Sequence, residues 1–222
     1  MKPLHHVIIQ HPCSFSRVGM KAIITSLGKQ YTIQETASLN AFTQEDDQPP
    51  ICSPVLLMTY IPSCTSLINT MHAIDKLQFQ SAHALKTIVL TNRLTWPLAM
   101  NLLDKYPGTY FFMEELVSSG TLSETVKNLL GREGGDALDE PLYLSDPLTS
   151  RERHVIKQLL KGMPICKIAN GLGLNYKTVS HHKISALRKL GFRHINALFS
   201  EKWHLNAGET NTRYRQLFKE SA

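Results

Sequence analysis

Five side chains near the C-terminus have the types and spacing to read a nucleic acid: Lys177, Ser180, His181, Ile184 and Arg188. The run from Tyr176 to Leu190 has helical periodicity. Wound at ~100° per residue, it brings Val179, Ala186 and Leu190 together as a buried side. The five fall on the opposite side. Two cations, a hydroxyl, an imidazole and one aliphatic group suit a major groove, and an exposed Ile is costly on a plain solvated face. Ser180 and His181 can hydrogen-bond base edges, and Ile184 can meet a thymine methyl. Phosphate contacts position a helix without specifying a sequence. Lys177, Thr178 and Arg188 are expected to make them, and Lys183, nearer the core edge, to reach the backbone by snorkelling.

This helix needs a scaffold, and the preceding residues supply one. Thr149 or Ser150 can cap a helix that runs to about Leu160, with Val155, Ile156, Leu159 and Leu160 on one face and Gly162 as its stop. Ile165, Ile168, Ala169 and Leu172 form the core stripe of a short second helix. Gly171 to Asn175 makes a turn, with Asn175 as N-cap of the reading helix. Arg151 and Glu152 are expected to serve as an internal ion pair or cap, and His182 to pack. His194 to Trp203 is expected to form a further amphipathic helix carrying Ile195, Leu198, Phe199 and Trp203.

Pro147 to Phe199 resembles the four-helix helix-turn-helix module of the LuxR/NarL/FixJ family of bacterial transcription regulators. Leu148-Thr149-x-Arg151-Glu152, Gly162, Lys167-Ile168-Ala169, Leu172-x-Leu174, Thr178-Val179-x-x-His182 and Lys189-Leu190-Gly191 carry the match. The resemblance implies that Ser180, His181 and Ile184 contact bases and that Lys167 contacts a phosphate. It also implies dimerisation through the last helix, by Ile195, Leu198 and Phe199. The segment Lys-Thr-Val-Ser-His-His-Lys at 177–183 is similar to that of the capsule-synthesis (Rcs) regulators, which implies an auxiliary regulator acting with a partner.

The N-terminal part alternates strand-like and helix-like runs. Val7–Ile9, Tyr31–Ile33, Val55–Met58, Thr87–Leu90 and Tyr110–Met113 read as strands. Phe15–Leu27, Leu39–Gln44, Ser66–Phe79, Thr95–Leu103 and Leu122–Leu130 read as helices, the first with a stripe of Phe15, Val18, Ala22, Ile23 and Leu27. Five strands alternating with five helices predict a parallel α/β sheet of flavodoxin-like class. The layout resembles the receiver domain of two-component response regulators. Arg17-x-Gly19-Met20, the strand of residues 55–62 ending in Pro62, and the last strand at 109–114 carry that likeness. On this alignment Met58 occupies the phosphoacceptor position, His11 and Pro12 the metal-binding acidic pair, and Met113 the lysine position; only Thr91 keeps its hydroxyl. A thioether can neither accept a phosphoryl group nor hold Mg²⁺. Asp46 and Asp47, the nearest adjacent acids, lie in a distant loop. The expectation is a degenerate receiver that is not phosphorylated.

Charge divides the chain in the same place. Residues 148–222 hold 14 Lys and Arg against 4 acids, a net +10, whereas residues 1–147 hold 10 against 14, a net −4. A basic third joined to a mildly acidic remainder points to two domains and a polyanionic partner. The expected division is 1–130, a linker at 131–147, 148–205, and a tail at 206–222. No run of ~18 apolar residues predicts a membrane span, and four cysteines without metal spacing predict reduced thiols. No phosphate-cradling Gly loop, nucleophile elbow or paired acid marks an enzyme. The expectation is a cytoplasmic, nucleoid-associated bacterial protein without cofactor or catalysis. Its expected partners are double-stranded DNA, a second copy or a related regulator as dimer partner, and RNA polymerase.

Overall fold

The computed structural model describes residues 5–28, 31–39, 51, 53–81, 83–92, 95–103, 108–131 and 148–199. Five strands are present: β1 (His5–Gln10), β2 (Tyr31–Thr36), β3 (Val55–Ile61), β4 (Lys86–Thr91) and β5 (Thr109–Glu114). The helices are α1 (Ser14–Ser26), α2 (Cys64–Gln80), α3 (Trp96–Leu103), α4 (Ser119–Gly131), α5 (Ser150–Leu160), α6 (Ile165–Leu172) and α7 (Tyr176–Lys189), followed by a 3₁₀ helix (Ile195–Phe199). The helix expected at 39–44 falls almost wholly outside the described residues, as do the linker and the tail. No described helix is long and apolar enough to cross a membrane.

Contacts divide the chain into two compact units. One comprises residues 1–62, 69–92 and 105–140; the other comprises 63–68, 93–104 and 141–222. In the first unit all neighbouring strands are parallel, in the order β2-β1-β3-β4-β5. This is the flavodoxin-like order, in which the β1/β3 boundary is the switch point. β1, β3 and β4 carry short, largely buried runs because helices cover both faces of such a sheet, whereas the edge strand β2 is partly exposed. Val7, Ile9, Leu56, Met58, Ile88 and Leu90 point to one face, where they pack with Met20 and Ile24 of α1 and Leu122, Val126 and Leu129 of α4.

The stripe expected on α1 is wrong at its first three positions. Phe15 and Val18 are 87% and 62% exposed and Ala22 is exposed, whereas Met20 and Ile24 are buried. Met20, Ile23, Ile24 and Leu27 share the same i, i+3, i+4, i+7 spacing and together bring more apolar area to the sheet. That alternative face therefore wins.

The second unit has its own small core of Val155, Ile168, Ala169 and Val179, flanked by Leu159, Ile165, Leu172 and Leu174. It also includes α3, in which every residue from Pro97 to Leu103 is buried. Asn101 of α3 accepts a bond from the Leu148 N–H at 2.9 Å through its side chain, and its carbonyl accepts one from Arg153 Nε at 2.8 Å. Arg153 also donates from Nη2 to the Leu148 carbonyl at 3.0 Å.

Candidate nucleic-acid interface

Four ends of the helices α5, α6 and α7 have a local chemical cause. Thr149 caps α5 in extended backbone (φ −63°, ψ 160°), its hydroxyl accepting from the Glu152 N–H, while the Glu152 carboxylate accepts from the Thr149 N–H. This reciprocal pair is a capping box. Gly162 at φ +78° ends α5, with the Met163 N–H returning to the Gln158 carbonyl at 3.0 Å. Gly173 at φ +63° ends α6, a left-handed conformation that a Cβ would strain, and so allows the tight turn to Asn175. Asn175 then caps α7 by accepting from the Lys177 N–H at 2.9 Å. The signals at Thr149, Gly162, Gly173 and Asn175 therefore lie where helices begin or end.

On α7, Val179 and Ala186 are fully buried and Leu190 is 3% exposed. Ile184 is 60% exposed on the far side, and Lys177, His181 and Arg188 are exposed there with it. Ser180 is half-buried at the edge of this stripe. Lys167 on α6 and Thr178 at the start of α7 are exposed, and Lys183 is half-buried, as its position near the core edge requires. His182 is half-buried.

The sequence did not reveal what holds α7 against α5. Glu152 is only 4% exposed. Besides the Thr149 N–H, its carboxylate takes a bond from Ser185 Oγ at 2.6 Å and an ion pair from Lys189 Nζ at 2.8 Å. Burial alone would raise its pKa. The bonds from Lys189, Ser185 and Thr149 outweigh that effect and hold it at about 2. A signal was available: Glu152 is the single acid among residues 148–199, facing ten Lys and Arg, and Ser185 and Lys189 stand at i, i+4 on one edge of α7. Arg151 is exposed, so of the expected Arg151/Glu152 pair only Glu152 is internal.

The amphipathic helix expected at 194–203 is corrected in part. The described stretch is a single 3₁₀ segment, Ile195–Phe199, and residues 200–203 lie outside the described residues. Ile195 is half-buried and Leu198 only 5% exposed, so Leu198 already buries its apolar surface within one chain.

At the sheet, Met58 is fully buried among apolar neighbours, and β3 continues past it to Ile61. The C-terminal edge of the strands carries other groups. The His11 ring stacks on Tyr60 at 4.6 Å between centroids, and the Tyr60 hydroxyl bonds to the Glu115 carboxylate. Burial first, and Glu115 second, push the Tyr60 phenol well above its ordinary pKa. Arg17 Nη1 donates to the His11 and Pro12 carbonyls at 2.6 and 3.1 Å. Thr91 donates its hydroxyl to the Ile61 carbonyl at 3.0 Å, and Met113 is half-buried. Asp46 and Asp47 lie outside the described residues.

With this geometry established, residues 146–200 match the family model described as bacterial regulatory proteins, luxR family. Residues 146–200 form a LuxR-family helix-turn-helix domain. Within it the chain is 52% identical over 46 residues to the transcriptional regulatory protein UhpA of Salmonella typhimurium, and 50% identical over 46 residues to UhpA of Escherichia coli K12. Each match covers 21% of this chain and 24% of the relative, so the chain spans about a quarter of the length of the curated relatives it matches. Among solved structures, two RcsB dimers bound to two parallel DNAs align over 88% of this chain and 96% of that chain, with a TM-score of 0.50 at 18% identity. That likeness concerns fold alone: a five-stranded parallel receiver-like domain and a LuxR-type helix-turn-helix domain, in which α6 and α7 are the two helices joined by the tight turn.

Proposed function

We propose that this chain is a sequence-specific transcription regulator that inserts α7 into the DNA major groove and acts without phosphorylation. The observation that carries the proposal is the polarity of α7. Val179, Ala186 and Leu190 are buried, while Lys177, His181, Ile184 and Arg188 are exposed on the opposite side. Ser180, His181 and Ile184 contact base edges. Lys167, Lys177, Thr178, Lys183 and Arg188 hold phosphates. Ile195 and Phe199 meet a second copy or a related regulator, so that two reading helices address two half-sites. RNA polymerase is the further partner, and the protein works in the cytoplasm on the nucleoid. Like the proteins named above, which are transcriptional regulators or DNA complexes, it performs no catalysis. Genome-wide footprinting tests the proposal: Lys177→Ala and His181→Ala should each redistribute occupancy, and occupancy indistinguishable from the parent removes the assigned face.

Phosphorylation independence rests on Met58, whose thioether offers no acceptor oxygen and sits in the apolar core. The phosphorylation-dependent alternative has the receiver-like strand order and the Thr91 hydroxyl in its favour. Acetyl phosphate separates the two. Stable labelling of one carboxylate, accompanied by tighter DNA binding, establishes the alternative.

A further inference from the structure

Beyond the side chains that touch DNA, something must fix how α7 is rolled about its own axis. Its buried side is a single aliphatic strip: Val179, Ala186, Leu187 and Leu190. Side-chain tips stand ~6 Å from a helix axis, so a roll of ~10° moves a reading group by about 1 Å. Binding constellations tolerate roughly half that displacement. Apolar contacts are non-directional and set the depth of α7 better than its roll. Hydrogen bonds are directional, and α7 has two of them side by side, from Ser185 and Lys189 to the single carboxylate of Glu152. These two donors lie one turn apart, about a quarter-turn around the helix from the stripe of Lys177, His181, Ile184 and Arg188. The carboxylate is itself anchored by the capping box at the first turn of α5.

We propose that Glu152 is the positioning residue of the DNA-reading surface, fixing the roll of α7 by holding Ser185 and Lys189 against the capped end of α5. The assignment rests on α7 as the reading helix. It extends that reading by giving sequence discrimination, rather than affinity in general, to a residue that touches no DNA. Phosphate contacts tolerate a small roll because lysine stems are long and the backbone charge is continuous. Base contacts do not tolerate it, because a bond displaced by an ångström is lost.

The test uses the full chain and two duplex probes of equal length: one enriched by the parent protein from a random-sequence library, the other a scrambled copy. For Glu152→Gln the ratio of the two affinities should fall more than threefold, while the salt slope on the scrambled probe stays that of the parent. Ser185→Ala and Lys189→Met should move the ratio in the same direction. Lys189→Arg, which keeps a cation, should restore it towards the parent value. A loss of folded protein lowers both affinities equally and leaves the ratio untouched, so stability and roll are read separately. Should Glu152→Gln not fold, the two α7 variants carry the same comparison. A ratio that stays within threefold of the parent in the variants that fold overturns the assignment. A parent that enriches no preferred duplex instead sinks the DNA-reading proposal on which it stands.

Discussion

Acidification should loosen α7 from α5 through one carboxylate, and the effect can be sized. Glu152 has a pKa of about 2 in the folded chain against an ordinary value of 4.5. Its folded value is depressed, so its contribution is complete above about pH 4.5 and disappears as the pH falls towards 2. At 1.36 kcal/mol per pKa unit, the contribution is roughly 3 kcal/mol. The side chain is almost fully buried, so solvent screens little of it. Glu152 is the only acid among residues 148–199. Hydrogen exchange read by mass spectrometry on peptides from α5 and α7, corrected for intrinsic rates, isolates the effect. In the parent chain, protection should fall by an amount equivalent to about 3 kcal/mol between pH 5.5 and pH 2. In Glu152→Gln, protection should start lower and stay nearly flat over the same range. Parallel pH profiles for parent and variant would refute the claim that this carboxylate ties the two helices together.

Four further outcomes are expected. Lys177→Ala should reduce the salt slope of DNA binding by about 0.9 per module by removing one phosphate contact, whereas Ile184→Ala should leave the slope alone and relax preference at one thymine-bearing position by about 1 kcal/mol; salt titrations on single-base probe variants check both. Arg153→Ala removes the bonds to the Asn101 and Leu148 carbonyls and should cost about 1–3 kcal/mol in thermal or denaturant unfolding. Met58→Asp places a carboxylate at a fully buried apolar position, so it should lower the melting temperature sharply and still fail to label with acetyl phosphate.

The C-terminal helices were legible because their boundaries are chemical. Thr149, Gly162, Gly173 and Asn175 each do one thing to a helix end, and the residue type announces it. The polarity of α7 was legible because charge, aliphatic and small residues separate cleanly at a period of 3.6. Four strands were legible as apolar runs and β2 as a short alternation. The α1 stripe misled because two apolar rows share one spacing, and only the competition for the sheet decides between Phe15 and Met20. The partners of Glu152 were hidden for another reason. Ser185 and Lys189 are ordinary residues for an exposed helix face, and only the crossing of α5 and α7 brings them to a carboxylate more than thirty positions away. The bonds between Asn101, Leu148 and Arg153 were hidden likewise, since nothing in a short apolar helix says which backbone its amide will meet. On the sheet, residue types showed that Met58 is no acceptor, but not that His11, Tyr60 and Glu115 would meet at the strand ends.

Sequestering Glu152 has a consequence for how the protein travels. With Glu152 withdrawn and neutralised by Lys189, the remaining formal charge of residues 148–199 is all of one sign. On the proposed role, such a surface would adhere to any duplex, whatever its sequence, and diffuse along the contour before α7 finds a preferred register. On the proposed DNA-binding role, two such modules would repel each other in free solution and lose that repulsion once phosphates neutralise them, so pairing would be favoured on the polymer rather than before reaching it.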